Sequence, residues 1–276
     1  MWVTTYWKGI EYFDKGTGHF SHYNTATVPG LASDNIWTVA DGGNGKLYIG
    51  HVHHGFSILS IKDKKVRNFV HDPNNRNSLP GNEVRCVYKD MNHNIWVGTN
   101  KGLALFNPES ENFIQFNSDG NLSHYIYDIR QLDGNKLWIA MEFGGIAIMD
   151  LSQRLFLLPE QTQFHYIREG DDGYSLSNSS ARCIFQDSFK NIWTGVWGGG
   201  INFLSYEPPL FSGYYYSPNQ NSMSRLNNKT ASSICVDSQG KLWIGTDGGG
   251  INVFDKGKRV AVYLEDTEDM GGNSVL

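Results

Sequence analysis

The sequence predicts an all-β chain, a β-propeller of four-stranded blades with about six repeats, and three observations carry that prediction. Six times a Trp or Tyr is followed six or seven residues later by Gly-apolar-x-apolar-apolar. From one aromatic to the next the interval is 46, 48, 42, 55 and 50 residues, a blade-sized period rather than that of a helical solenoid. The composition, with 31 Gly, 13% aromatic and 18% charged residues, suits many short strands joined by tight turns.

The copies run Trp2 to Gly9, Tyr48 to Gly55, Trp96 to Gly102, Trp138 to Gly145, Trp193 to Gly200 and Trp243 to Gly250. The last copy shows how each element arises. Ser233 to Asp237 is β-prone and forms the inner strand, and Asp-x-x-Gly at Asp237 to Gly240 supplies an acceptor and a left-handed position for a hairpin. In the second strand, Leu242 and Ile244 point to one face while Trp243 and Gly245 point to the other. Both faces are apolar or small, so both must be covered, as in a blade between two neighbours. Gly250 opens a third strand over Ile251 to Phe254, and Arg259 to Tyr263 gives a fourth. The repeated aromatic therefore reads as core. Gly50, Gly98, Gly195 and Gly245, with Ala140 in the fourth copy, read as room for an adjoining blade.

Connectors rich in Asp, Asn and Pro lead from blade to blade, and Leu79, Leu176 and Met223 are expected to tuck beneath them. The blade units fall at about 1–30, 31–79, 80–120, 121–176, 177–225 and 226–276, within a single propeller over 1–276. The first copy starts at its second strand and the last stops at the next inner strand, which reads as a fragment cut mid-blade at both ends. Cys86, Cys183 and Cys235 are expected to be buried free thiols. A net charge of −5 without any Lys/Arg run speaks against nucleic acid as a partner.

Two signatures coincide: Asp-x-x-Gly-x-Leu-Trp-Ile-Gly-Thr-x-x-Gly-Gly-Ile, seen from Asp237, and Asp-Pro-x-Asn-x-x-Ser-Leu, seen from Asp72 to Leu79. Together they resemble the two-component regulator propeller repeat of hybrid sensor histidine kinases. The resemblance implies an extracytoplasmic, periplasmic sensor region that responds to oligosaccharides or another small ligand and is itself non-catalytic. It further implies immunoglobulin-like and kinase domains downstream in the same protein, and a signal passed by propeller packing or by homodimer geometry. The departures from the repeat are Tyr48 and His51 in the second copy, and Ala140 and Met141 in the fourth, which also precedes an insertion near 155–163.

Ligand contacts are expected where the repeat varies, on the turns after the second strand and at the inner-strand entries. Those candidates are Trp7, His51, His53, His54, Glu142, Phe143, Trp197 and Asp247 on turns, and Arg85, Tyr127 and Arg182 at entries. Aromatic planes with carboxylate and guanidinium groups suit a sugar, which has an apolar face and a rim of hydroxyls. The competing role for Arg85 and Arg182 is ion pairing between blades. No metal or cofactor is expected: His51, His53 and His54 lack a fixed fourth ligand, and no nucleophile elbow, phosphate loop or zinc-protease motif occurs. The alternative functions are a glycan lyase or hydrolase working through His53, His54 or Glu142, and a protein-interaction scaffold.

Overall fold

The computed structural model describes residues 1–116, 122, 124–132, 134–152, 158–170, 175–207, 213–218, 223–265 and 271–275. Among them the regular structure is β-strand with a single 3₁₀ turn at Pro159–Gln161, and no helix is long and apolar enough to cross a membrane. The first sheet contains β1 (Trp2–Thr5), β2 (Gly9–Phe13) and β3 (Phe20–Tyr23), and the second β4 (Ile36–Gly43), β5 (Lys46–His51), β6 (Phe56–Ser60) and β7 (Val66–Phe69). The third contains β8 (Val84–Lys89), β9 (Ile95–Thr99), β10 (Gly102–Asn107) and β11 (Asn112–Phe116). The fourth contains β12 (Ile126–Leu132), β13 (Lys136–Met141), β14 (Gly145–Asp150) and β15 (Phe164–Ile167). The fifth contains β16 (Ala181–Gln186), β17 (Ile192–Val196) and β18 (Gly200–Leu204), and the sixth β19 (Ala231–Val236), β20 (Leu242–Thr246), β21 (Ile251–Asp255) and β22 (Lys258–Tyr263). Every sheet is an antiparallel meander in chain order, which is the blade of a β-propeller. Two compact units result: Met1–Glu169 with Leu176–Tyr206, which contains the first five sheets, and Gly170–Ser175 with Glu207–Leu276, which contains the sixth.

One carboxylate organises the first hairpin of a blade. Asp90 Oδ1 accepts the backbone N–H groups of Asn92 and Asn94, while Oδ2 accepts the indole N–H of Trp96 at 2.9 Å. The same set recurs at Asp187 with Trp193, 3.0 Å, and at Asp237 with Trp243, 2.9 Å. The indole bond is also the main reason the Asp187 and Asp237 carboxyls are held below the usual range. At the other end of the second strand, Thr99 and Thr246 each donate a hydroxyl hydrogen bond at 2.9 Å to the carbonyl of the glycine that opens the third, Gly102 and Gly250.

Strand alternation sorts side chains between successive sheets of the first unit. Leu47 and Ile49 pack with Ile10 and Val28 of the first sheet's side, whereas Tyr48 between them packs with Val84, Val97 and Phe106 of the third. Likewise Trp96 packs with Ile126, Leu137 and Ile139 of the fourth sheet, and Trp138 and Ala140 with Ala181, Ile184 and Ile192 of the fifth. Gly98 has no room for a side chain: a methyl there would lie 2.6 Å from Ile126 Cγ2. In the fourth sheet the larger Ala140 is accommodated because Ala181 stands where Val84 and Ile126 stand in earlier inner strands. Backbone latches join successive sheets as well. The glycine N–H that opens the third strand reaches the carbonyl two residues before the next inner strand, from Gly9 to Asp34, Gly55 to Asn82 and Gly145 to Ser179, at 2.9, 2.9 and 2.7 Å.

Three expectations need correction. Cys86 is buried, but Cys183 and Cys235 are exposed. Trp193 is also exposed, because it shares with Cys183, Phe185 and Phe203 the far face of the fifth sheet, the last in its unit. The residue tucked under the connector before the sixth sheet is Leu226, five residues before β19 as Leu79 is before β8, and Met223 is exposed.

Asp90→Ala, which strips four N–H groups of their acceptor, the Asn94 side-chain amide among them, is expected to lower stability by about 2–4 kcal/mol in urea unfolding. Adding Trp96→Phe to it should cost much less than Trp96→Phe alone; additive losses would mean that the two residues do not act through their bond. Gly98→Ala should cost about 1–3 kcal/mol by overpacking.

Candidate functional site

In the first unit each inner strand slips register against its neighbour at one equivalent place: between Ile36 and Thr38, Val84 and Cys86, Ile126 and Asp128, and Ala181 and Cys183. The residue passed over is Trp37, Arg85, Tyr127 and Arg182 in turn. A bulged residue has no place in the ladder, so its side chain is re-aimed out of the sheet. Four successive sheets therefore present aromatic, cation, aromatic, cation at one position.

These side chains stack on one another across the sheet boundaries. The Arg85 guanidinium lies 4.7 Å from the Trp37 ring centre, 4.7 Å from Tyr125 and 4.9 Å from Tyr127. Arg182 lies 3.8 Å from Tyr127 and 4.9 Å from Trp197. Tyr6 extends the row beyond Trp37, with ring centres 5.6 Å apart, and meets Trp7 edge-on at 4.9 Å. Each such cation–π contact is worth roughly 0.5–2 kcal/mol.

Carboxylates take up the edges of the guanidinium groups. Arg85 Nη2 donates to Glu83 Oε2 at 3.2 Å, and Arg182 Nη2 donates to Glu142 Oε1 at 2.9 Å. Glu142 Oε1 also accepts the Tyr127 hydroxyl at 3.2 Å. Burial pushes the Tyr127 hydroxyl above its ordinary value, so it remains a donor at neutral pH. Neither Arg85 Nε nor Arg182 Nε, both buried, has a partner among the described residues. Two cations matched by two carboxylates leave the row without excess charge. It offers ring faces, edge-on donors and carboxylate acceptors, the groups that recognise a polyhydroxylated ring.

The structure thus gathers Trp7, Arg85, Tyr127, Glu142, Arg182 and Trp197 along one row, with Phe143 beside Glu142. The expected ion pairing between blades is made by Arg182, whose partner Glu142 belongs to the preceding sheet, and not by Arg85, whose partner Glu83 lies at the entry to its own strand. His53 is exposed with Nδ1 3.5 Å from Glu83 Oε1, and His54 is exposed next to it. His51 stands apart. It is wholly buried and its Nε2 pairs with Ser57 Oγ at 2.8 Å, because strand alternation turns it inward where the third and sixth copies carry Thr99 and Thr246. Asp247 lies in the second unit, where it accepts the Ser274 hydroxyl at 2.7 Å. Trp37 and Glu83 are members that the sequence reading missed. Aligning inner-strand starts would have exposed Trp37, which follows Ile36 as Arg85 follows Val84.

The model of the family described as "Two component regulator propeller" matches residues 78–101 and 225–248, each match holding an inner strand, its carboxylate turn and the aromatic strand. A crystal structure of the extracellular domain assigned to the hybrid two-component system BT3049 from B. thetaiotaomicron is 57% identical, covering 100% of this chain and 33% of that one, with a TM-score of 0.68. The corresponding domain of BT4673 is 19% identical over 94% of this chain and 33% of its own, with a TM-score of 0.60, a likeness of fold. Histidine kinase P4 of Formosa agariphila is 30% identical over 86 residues, which are 28% of this chain and 6% of the kinase. The chain therefore spans 33% of the length of these solved domains and a much smaller share of the kinase.

Burial, reinforced by His54, lowers the His51 pKa from 6.5 to about 4, so the fold holds it neutral while the unfolded chain takes up a proton below 6.5. Stability should be fully present above about pH 6.5 and fall as pH drops towards 4, by roughly 3 kcal/mol in all. His51→Thr, the residue used by other copies, should remove that part of the slope when urea midpoints are compared between pH 7 and pH 4.5. An unchanged slope would refute the assignment.

Proposed function

We propose that this chain, which carries two-component regulator propeller repeats, is an extracytoplasmic ligand-sensing region of a hybrid two-component signalling protein and is itself non-catalytic. The ligand is an oligosaccharide, and the observation that carries this reading is the alternating row Trp37, Arg85, Tyr127 and Arg182 on bulged positions. Ring faces at Trp37 and Tyr127 suit the C–H face of a sugar, and the arginine edges with Glu83 and Glu142 suit its hydroxyls. The extracellular placement of the 57% identical domain supports the compartment.

Sensing requires a ligand to bind two states unequally. Each member of the row comes from a different sheet, so a saccharide lying along it favours one inter-sheet packing over another. A change in packing is then available to immunoglobulin-like and kinase domains further along the same protein, or to the geometry of a homodimer. Glu142 is committed to Arg182 and Tyr127, which suits holding a ligand better than general acid work.

A thermal-shift and calorimetric screen with acidic and neutral oligosaccharides, oligogalacturonates beside manno-, xylo- and cello-oligosaccharides, is expected to find a binder. Arg182→Ala and Arg85→Ala should each weaken that binder at least about tenfold, as expected when a hydrogen bond to a charged donor is lost. No binder in the screen, or binding untouched in the double variant, would overturn the reading. Product formed from any of these saccharides would establish catalysis instead.

A further inference from the structure

Four of the six turns that open a third strand share a left-handed residue two places before the anchoring glycine, and two of those four contain a residue that this geometry disfavours. In the fifth and sixth sheets the residue two places before the anchoring glycine is Gly198 with φ 68° and Gly248 with φ 93°. This is the left-handed region, where a side chain crowds the backbone and glycine is the ordinary occupant. At the equivalent place the first and fourth sheets carry Trp7 with φ 77° and Phe143 with φ 57°. A bulky residue there is a real outlier.

Packing does not account for either ring. Trp7 is 62% exposed and Phe143 73% exposed, so neither is placed there to fill a core. Both nevertheless adjoin the row described above. Trp7 follows Tyr6, whose ring is tilted against Trp37, and Phe143 follows Glu142, which binds Tyr127 and Arg182. Strain retained at an exposed residue beside a polar and aromatic cluster is the pattern of a binding position.

We infer that Trp7 and Phe143 are ligand-contact residues, held in left-handed turns against backbone preference so that each offers its ring to the apolar face of a sugar unit flanking the row. This inference rests on the oligosaccharide reading and assigns the contacts that select for ring-bearing ligands. Both turns are tied down by backbone bonds: the N–H groups of Gly9 and Gly145 reach the Asp34 and Ser179 carbonyls, and the Phe143 N–H is bonded to Ser180 Oγ at 3.2 Å. A turn backbone already held in place leaves only side-chain freedom to be lost when a sugar stacks on the ring.

The test uses Trp7→Gly and Phe143→Gly, changes to the residue that sibling turns already carry, in the full chain. Both variants should fold, with melting temperatures no more than about 2 °C below the parent, since relief of the left-handed strain opposes the added freedom of glycine. Each should weaken the oligosaccharide found in the screen by roughly tenfold, as expected for loss of one stacking contact. Parent-like affinity in both glycine variants, while Arg182→Ala still abolishes binding, overturns this inference and leaves the sensing reading intact. A drop of melting temperature well beyond that margin also overturns it, by making the rings structural. If the parent binds no saccharide in the panel, the sensing reading fails and this inference falls with it. Loss of binding in the glycine variants but not in Arg182→Ala upholds the inference and moves the site from the row to its flanks.

Discussion

The bond from a turn carboxylate to a buried indole is the constraint on which the remaining structure depends. A strand covered on both faces must satisfy every polar group within the protein, and Trp96, 0% exposed, has one N–H that water cannot reach. Asp90 answers it and at the same time closes the hairpin, so one carboxylate fixes both the turn and the register of the first two strands. That register decides which side chains face the preceding sheet and which the following one. The variant copies show the same dependence from the other side. Where the aromatic is Tyr48 the residue six places earlier is Gly42, and a side chain there would meet the tyrosine ring at 2.9 Å. Where it is Trp138 the place is taken by Leu132, and the indole N–H is buried without a partner among the described residues.

With the register fixed from the hairpin end, the opposite end of the inner strand is free to slip. The slip occurs at the same residue in four sheets of the first unit, and it converts a repeat made for packing into one that also displays a variable side chain. In β8, β12 and β16 the bulge leaves the rest of the strand in register, so Arg and Tyr are tolerated there without disturbing Val84, Ile126 or Ala181 one place before. Core packing and the displayed side chain are thereby assigned to adjacent residues of the same strand.

Much of this was legible in the sequence because repetition and alternation are side-chain properties. The six copies, the two-faced second strand, the small residue after the aromatic and the turn Asp are all visible as residue types. The bulge is a backbone event without a fixed residue, which is why Arg85, Tyr127 and Arg182 could be marked as variable entries while Trp37 and the stacking that joins them were missed. His51 was misplaced among surface turns because its neighbours His53 and His54 are exposed, although alternation points His51 inward. The Met223 error was one of spacing, since the five-residue interval to the inner strand selects Leu226. Exposure of Cys183, Cys235 and Trp193 depends on what lies beside a sheet, which no single strand encodes.

The row of stacked side chains also bears on how a propeller face could report occupancy. Trp37, Arg85, Tyr127 and Arg182 are contributed by four sheets, and their mutual contacts cross each boundary between them. Contacts worth roughly 0.5–2 kcal/mol apiece are strong enough to hold one arrangement and weak enough for a ligand to outcompete. Shifting a two-state balance from 1:99 to 99:1 takes about 5.5 kcal/mol of differential binding, which several such contacts exchanged for ligand contacts can supply. The core clusters between sheets are close-packed and cannot deform gradually, so a change along the row would be taken up as a step between packings rather than a graded drift. A row confined to one sheet could bind as tightly, but it would have no boundary to act upon.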